Sequence, residues 1–75
     1  MNYKLLEAKA ALIREIGAEI SERAWIPSIA QKIIEEADVC VLRDMSEEET
    51  RAHLDGILRA EEKLLVDNLC NPNLL

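Results

Sequence analysis

Read at 3.6 residues per turn, the stretch from Ile26 to Leu42 separates into two faces. Ile26, Ile29, Ala30, Ile33, Ile34, Ala37, Cys40 and Val41 fall on one side. Ser28, Gln31, Lys32, Glu35 and Asp38 fall on the other. The spacing predicts an amphipathic helix with one buried stripe and one solvated face. Val39 and Leu42 point away from the stripe and add apolar surface beyond it. Upstream, Trp25-Ile26-Pro27-Ser28 interrupts any longer helix: proline has no amide proton and biases Ile26 toward extended backbone, yet it fits the first turn of a new helix.

The same periodicity extends on both sides. Leu5, Leu6, Leu12, Ile13, Ile16, Ile20 and Ala24 line one face of a first helix, with Asn2 as its candidate N-cap and Lys4, Glu7, Ala11, Arg14, Ala18 and Glu22 opposite. Gly17 lies at the edge of this arc, where it either lets a second helix come close or marks a bend. Glu19 and Arg23 are spaced for an i,i+4 pair. After the break at Arg43-Asp44-Met45, Ser46 followed by Glu49 matches the capping-box pattern, and Glu47, Glu48 and Glu49 suit the positive end of a helix dipole. The third helix carries Leu54, Ile57, Leu58, Leu64, Leu65 and Leu69 on its stripe and stops at Asn71-Pro72-Asn73.

These patterns predict an all-α fold of three amphipathic helices, at about 2–24, 27–43 and 47–70, in one domain spanning residues 1–75. Short turns favour antiparallel neighbours and hence a small bundle. The wide apolar arcs of the first and third helices, with Val39, Leu42 and the terminal Leu74-Leu75, exceed what one small core requires, so completion by homo-oligomerisation is expected. Glu61 and Asn68 follow Leu54 at heptad spacing and would set register in a coiled-coil seam. Lys9 and Arg23 interrupt the first helix's arc in the same way and are the candidates to neutralise Glu61, within a chain or across a dimer; otherwise Glu61 lies at a solvated edge.

Composition narrows the functional classes. At 75 residues the chain is near the lower size at which one core outweighs chain entropy. Hydrophobic residues make up 49% and there is no Phe, so the chain is apolar enough to fold and rich in helix formers. Fifteen acidic against nine basic residues give a net charge of −6, with the bases scattered singly. Direct nucleic-acid binding is therefore disfavoured, and no apolar run reaches the ~18 residues that a membrane span needs. The N-terminus lacks the layout of a secretion signal, so a cytoplasmic location is expected, with reduced Cys40 and Cys70.

Candidate chemistry is sparse. His53 is the lone histidine, Cys40, Cys70 and His53 lack the close pairs of a zinc site, and the serines lack a nucleophile-elbow pattern. Adjacent glutamate pairs face different directions on a helix and do not converge on one substrate atom. No enzyme activity, metal or cofactor is expected. The expected activity is binding of another protein, a basic or nucleic-acid-binding one, by a small acidic regulator that inhibits or sequesters it as an antirepressor does. The candidate contact residues are Trp25, Glu35, Glu36, Val39, Leu42, Glu47 and Glu48. Trp25 either caps the bundle end or anchors the partner. Two alternatives stand beside this: an oligomerisation or assembly module, or small chaperone, with acidic faces kept for solubility, and, more remotely, a helix-turn-helix DNA binder built on the second and third helices.

Overall fold

The computed structural model describes residues 3–70. The chain forms three helices: α1 (Tyr3–Ser21), α2 (Pro27–Leu42) and α3 (Glu47–Cys70). They run up, down and up in one rod of 56 × 18 × 15 Å, with no strand among the described residues. The fold is an all-α three-helix bundle, as the periodicity predicts. Asn2 and Leu74-Leu75 lie outside the described residues.

Local chemistry sets the helix ends. The α1 periodicity extends to Ala24, but the helix stops at Ser21. There the Ser21 hydroxyl donates back to the Ala18 carbonyl at 2.7 Å, and the amides of Arg23 and Ala24 turn to the carbonyls of Ile20 and Ser21. The chain then has to reach Ile26 in extended geometry (φ −135°, ψ 153°) so that Pro27 can open α2. At the other end of α2, Met45 N–H donates to Cys40 C=O and Asp44 N–H to Val41 C=O. This is a Schellman closure with Asp44 in the left-handed position at φ 53°, where glycine is the usual occupant. The Ser46 hydroxyl accepts the Glu49 amide at 3.1 Å, so the cap read from the sequence starts α3.

The core is one cluster. Ile13, Ile16 and Ile20 from α1, Ile29, Ile33, Ala37 and Cys40 from α2, and Leu54 and Leu58 from α3 are all buried. The α1–α2 contact is the most extensive of the three. Gly17 is its closest point: a Cβ added there would overlap the Cβ of Ala37. Of the two readings of Gly17, close approach is correct.

Several stripe residues remain outside the core. Leu6, Leu12, Ile34, Leu64 and Leu69 are exposed although they share the periodicity of the buried residues. For Leu64 and Leu69 the reason is length: α2 has 16 residues against 24 in α3, so the last turns of α3 run past the start of α2 with no helix opposite them among the described residues, whereas Leu12 and Ile34 lie at the edges of the packed faces.

Gly17 and Gly56 give a paired test. Gly17→Val forces α1 and α2 apart and should lower unfolding free energy by about 2–3 kcal/mol. Gly56 has no atom within 4 Å of an added Cβ, so Gly56→Ala should raise it by about 0.5–1 kcal/mol through helix propensity. Urea unfolding followed by circular dichroism measures both.

Candidate protein-interaction surfaces

Charged side chains flank the core and connect the helices. Arg14 Nε meets Asp38 Oδ1 at 3.1 Å and Lys9 Nζ meets Asp44 Oδ1 at 2.5 Å, tying α1 to α2 and its closing turn. Arg51 reaches Glu19 with both terminal nitrogens at 3.4 Å, and Arg23 reaches Asp55 at 3.5 Å, tying α3 to α1 and the turn after it. Lys32 pairs with Glu61 and His53 Nε2 lies 3.3 Å from Glu36 Oε2, tying α2 to α3. Only Arg59–Asp55 is an i,i+4 pair. Most of these groups are half or more exposed, so each pair is worth about 0–1 kcal/mol. Their effect is on register more than on stability.

This arrangement corrects the register residues. Glu61 is neutralised within the chain by Lys32 of α2, whereas Lys9 pairs with Asp44 and Arg23 with Asp55. The hydrogen bond and charge of Glu61 raise the pKa of Lys32 above the ordinary lysine value. With the folded pKa above the unfolded one, the pair's contribution is complete at neutral pH and fades as pH rises past the lysine range. Glu19 and Arg23 do not pair with each other; each turns to α3 instead. Asn68 is exposed, on the part of α3 that has outrun the bundle.

The candidate contact residues divide into two groups at opposite ends of the rod. Glu35, Val39 and Leu42 follow one another at i, i+4 and i+7 and make a strip along the outside of α2. Leu42 is 85% exposed and Glu35 exposed, while Val39 is partly covered. Glu47 and Glu48 open α3 just beyond the turn; Glu47 lines the groove between α1 and α3, away from this strip. Glu36 is turned aside toward His53 and is half-buried. Trp25 is 60% exposed at the opposite end, at the α1–α2 corner. The α2 strip and the start of α3 lie at the same end of the rod, and Trp25 is remote from both.

Two features escaped the sequence reading. A cleft of about 130 Å³, lined by Leu6, Ala10, Ile13, Val41 and Met45, opens beneath the Lys9–Asp44 pair. Beside it in sequence but on the α1–α3 side, Glu15, Glu19 and Glu47 line a shallow groove with Arg51. The exposed Leu6 and Leu12 at the edges of these depressions were the only signals available, and they resembled core positions.

Reactive groups are few. Cys40 is fully buried, and burial pushes its thiol above the ordinary pKa. Thr50, also fully buried, lies beside it, its hydroxyl toward the Cys40 sulfur, which partly offsets the effect of burial. Cys70 is exposed. Among the described residues no group of His, Cys, Asp or Glu side chains is arranged to hold a metal ion, and no helix is long and apolar enough to cross a membrane. No protein-family model, curated protein or solved structure matches the chain.

The two thiols should separate cleanly by reactivity. A thiolate-selective reagent at neutral pH should label Cys70 at a rate near that of a free thiol, while Cys40 should react at least about a hundredfold more slowly until denaturant is added. Equal rates in the native protein would place Cys40 outside the core.

Proposed function

We propose that this protein is a small cytoplasmic regulator that binds a basic surface on another protein, a nucleic-acid-binding one, and blocks it. The observation that carries this reading is the distribution of charge once the helices are paired. Lys9, Arg14, Arg23, Lys32, Arg51 and Arg59 all lie in ion pairs. Glu15, Glu22, Glu35, Glu47, Glu48 and Glu49 remain exposed with no salt-bridge partner among the described residues. Arg43 and Lys63 are exposed outside these pairs, so the unpaired charge among the described residues is mainly, though not wholly, carboxylate. A basic protein approaching this field is steered onto it, with an on-rate that falls as salt rises. Leu42 and Val39, set among these carboxylates, supply the apolar anchor that charge alone does not give.

Two features weigh against a helix-turn-helix function. The cross-section of 18 × 15 Å keeps all three helices along the rod, so none crosses the others as a recognition helix does. The excess of surface carboxylates repels a phosphate backbone.

The second reading, an assembly module whose acidic faces serve only solubility, draws its support from the exposed Leu64 and Leu69 of α3. Charge reversal separates the two. If the acidic face binds, Glu35→Lys combined with Glu47→Lys should weaken capture of a basic partner about tenfold or more, and wild-type capture should vanish near 1 M salt, where screening acts within about 3 Å. Affinity chromatography at graded salt, with partner identification by mass spectrometry, reads this out. A partner with an acidic surface that survives high salt, or reversals without effect, would contradict the proposal.

A further inference from the structure

The apolar strip of α3 is interrupted at Glu61 and Glu62 and resumes at Leu65 and Leu69, where its cover is lost. Leu54 and Leu58 are 0% and 5% exposed, whereas Leu69, on the same strip, is 78% exposed and its neighbour Leu64 57%. The leucines on either side of the interruption are alike; the neighbouring helices have ended. Lys32, in the second turn of α2, already pairs with Glu61, so the last turns of α3 extend beyond the start of α2. The α1–α2 corner, with Trp25 60% and Ile26 37% exposed, sits at the root of this extension. The result is a step: one bare helical face rising from an apolar ledge.

We infer that the step is filled by a second copy of this chain, whose own α3 extension lies antiparallel along the first about a two-fold axis. Length favours this occupant. Each extension is at most eight residues, up to about 12 Å at 1.5 Å per residue, and an antiparallel copy of equal length places its tip on the Trp25–Ile26 ledge while its own ledge receives the first tip. Leu65 and Leu69 of the two copies then form the centre of the contact.

Charge favours it too. Residues 63–70 carry Lys63 and Asp67 and are neutral together, in a chain of net charge −6. Both charges stand on the side of α3 opposite Leu65, where they stay in water. A like-charged copy meets no repulsion here, and a basic partner finds nothing to attract it.

Area sets the strength. Trp25, Ile26, Leu64 and Leu69 together expose roughly 450 Å² of surface per copy, so the pair covers at most about 900 Å², the weak end of the range for a specific interface. The dimer is accordingly weak, with a dissociation constant on the order of micromolar. It leaves both acidic α2 strips at the outer ends of the pair, each free for a partner, and so is independent of the identity of that partner.

Sedimentation equilibrium from about 1 µM to 1 mM chain, with reductant present, tests the proposal, using Leu69→Glu and Leu42→Glu as matched variants. Both leucines are almost wholly exposed in the monomer, at 78% and 85%, so neither change should disturb the helix content seen by circular dichroism. The wild type and Leu42→Glu should dimerise alike, with Trp25 emission shifting to the blue as dimer forms, and Leu69→Glu should weaken dimerisation at least about thirtyfold. A wild type that stays monomeric throughout overturns the proposal. So does a dimer that Leu69→Glu leaves intact, one that Leu42→Glu also destroys, or one that forms only when reductant is omitted.

Discussion

The shortest helix governs this molecule. A bundle core extends only as far as all its helices run side by side, and α2, at 16 residues, stops the core well short of the 24-residue α3. Within that shared length the packing is close. Gly17 against Ala37 brings α1 and α2 nearer than any larger pair of residues allows, and Ile13, Ile20, Ile33, Cys40 and Leu54 close around that contact with almost no exposure. Outside it, residues of the same type are left in water. The exposed Leu64 and Leu69 are thus the counterpart of the buried Leu54 and Leu58, displaced along one helix by a few turns.

Magnitude decides what the ion pairs do. Exposed pairs contribute about 0–1 kcal/mol each, whereas burial of one leucine or isoleucine contributes about 1.5–3 kcal/mol. The nine-residue core therefore provides the stability. The pairs act on arrangement: Arg14–Asp38, Arg51–Glu19 and Lys32–Glu61 each join a different pair of helices, so sliding any helix by a turn breaks at least two of them. They also occupy most of the cations, leaving Arg43 and Lys63 outside the pairs, so the unpaired surface charge among the described residues is mostly carboxylate, the property on which the proposed capture of a basic partner depends.

Much of the architecture was legible in the sequence, because it rests on local chemistry. Pro27 and Ser46 mark helix starts through an absent amide and a side-chain acceptor, and both effects act within a few residues. The inward positions Ile29, Ile33, Ala37 and Cys40 followed from the periodicity of α2, as did the outward placement of Leu42, while Ile26 and Ile34, read on the same stripe, are exposed. The end of α1 was less legible: Arg23 and Ala24 fit the periodic pattern, and only the geometry demanded by Ile26-Pro27 stops the helix at Ser21. Burial itself was not legible, since Leu58 and Leu69 differ only in whether a neighbour has already ended. The same holds for Glu61. Its need for a cation followed from its place on the strip, but the choice of Lys32 over Lys9 or Arg23 depends on how far one helix slides against another, a quantity no single-chain pattern contains.

The contact set proposed for a partner rests on the same distinction. Glu35 and Leu42 lie along the outside of α2, Glu47 lines the α1–α3 groove, and Trp25 belongs to the far end of the rod. Two surfaces of different character on one small rod, one acidic and one neutral and apolar, are what a regulator needs to hold a partner and a copy of itself together. The central claim is that cooperative structure ends where α2 ends. Residue-resolved amide hydrogen exchange on dilute protein measures this directly. Strong protection should run through Ile13–Ile20, Ile33–Cys40 and Leu54–Leu58 and fall by at least about a hundredfold over residues 63–70. Protection that continues undiminished to Leu69 in the dilute monomer would contradict the account.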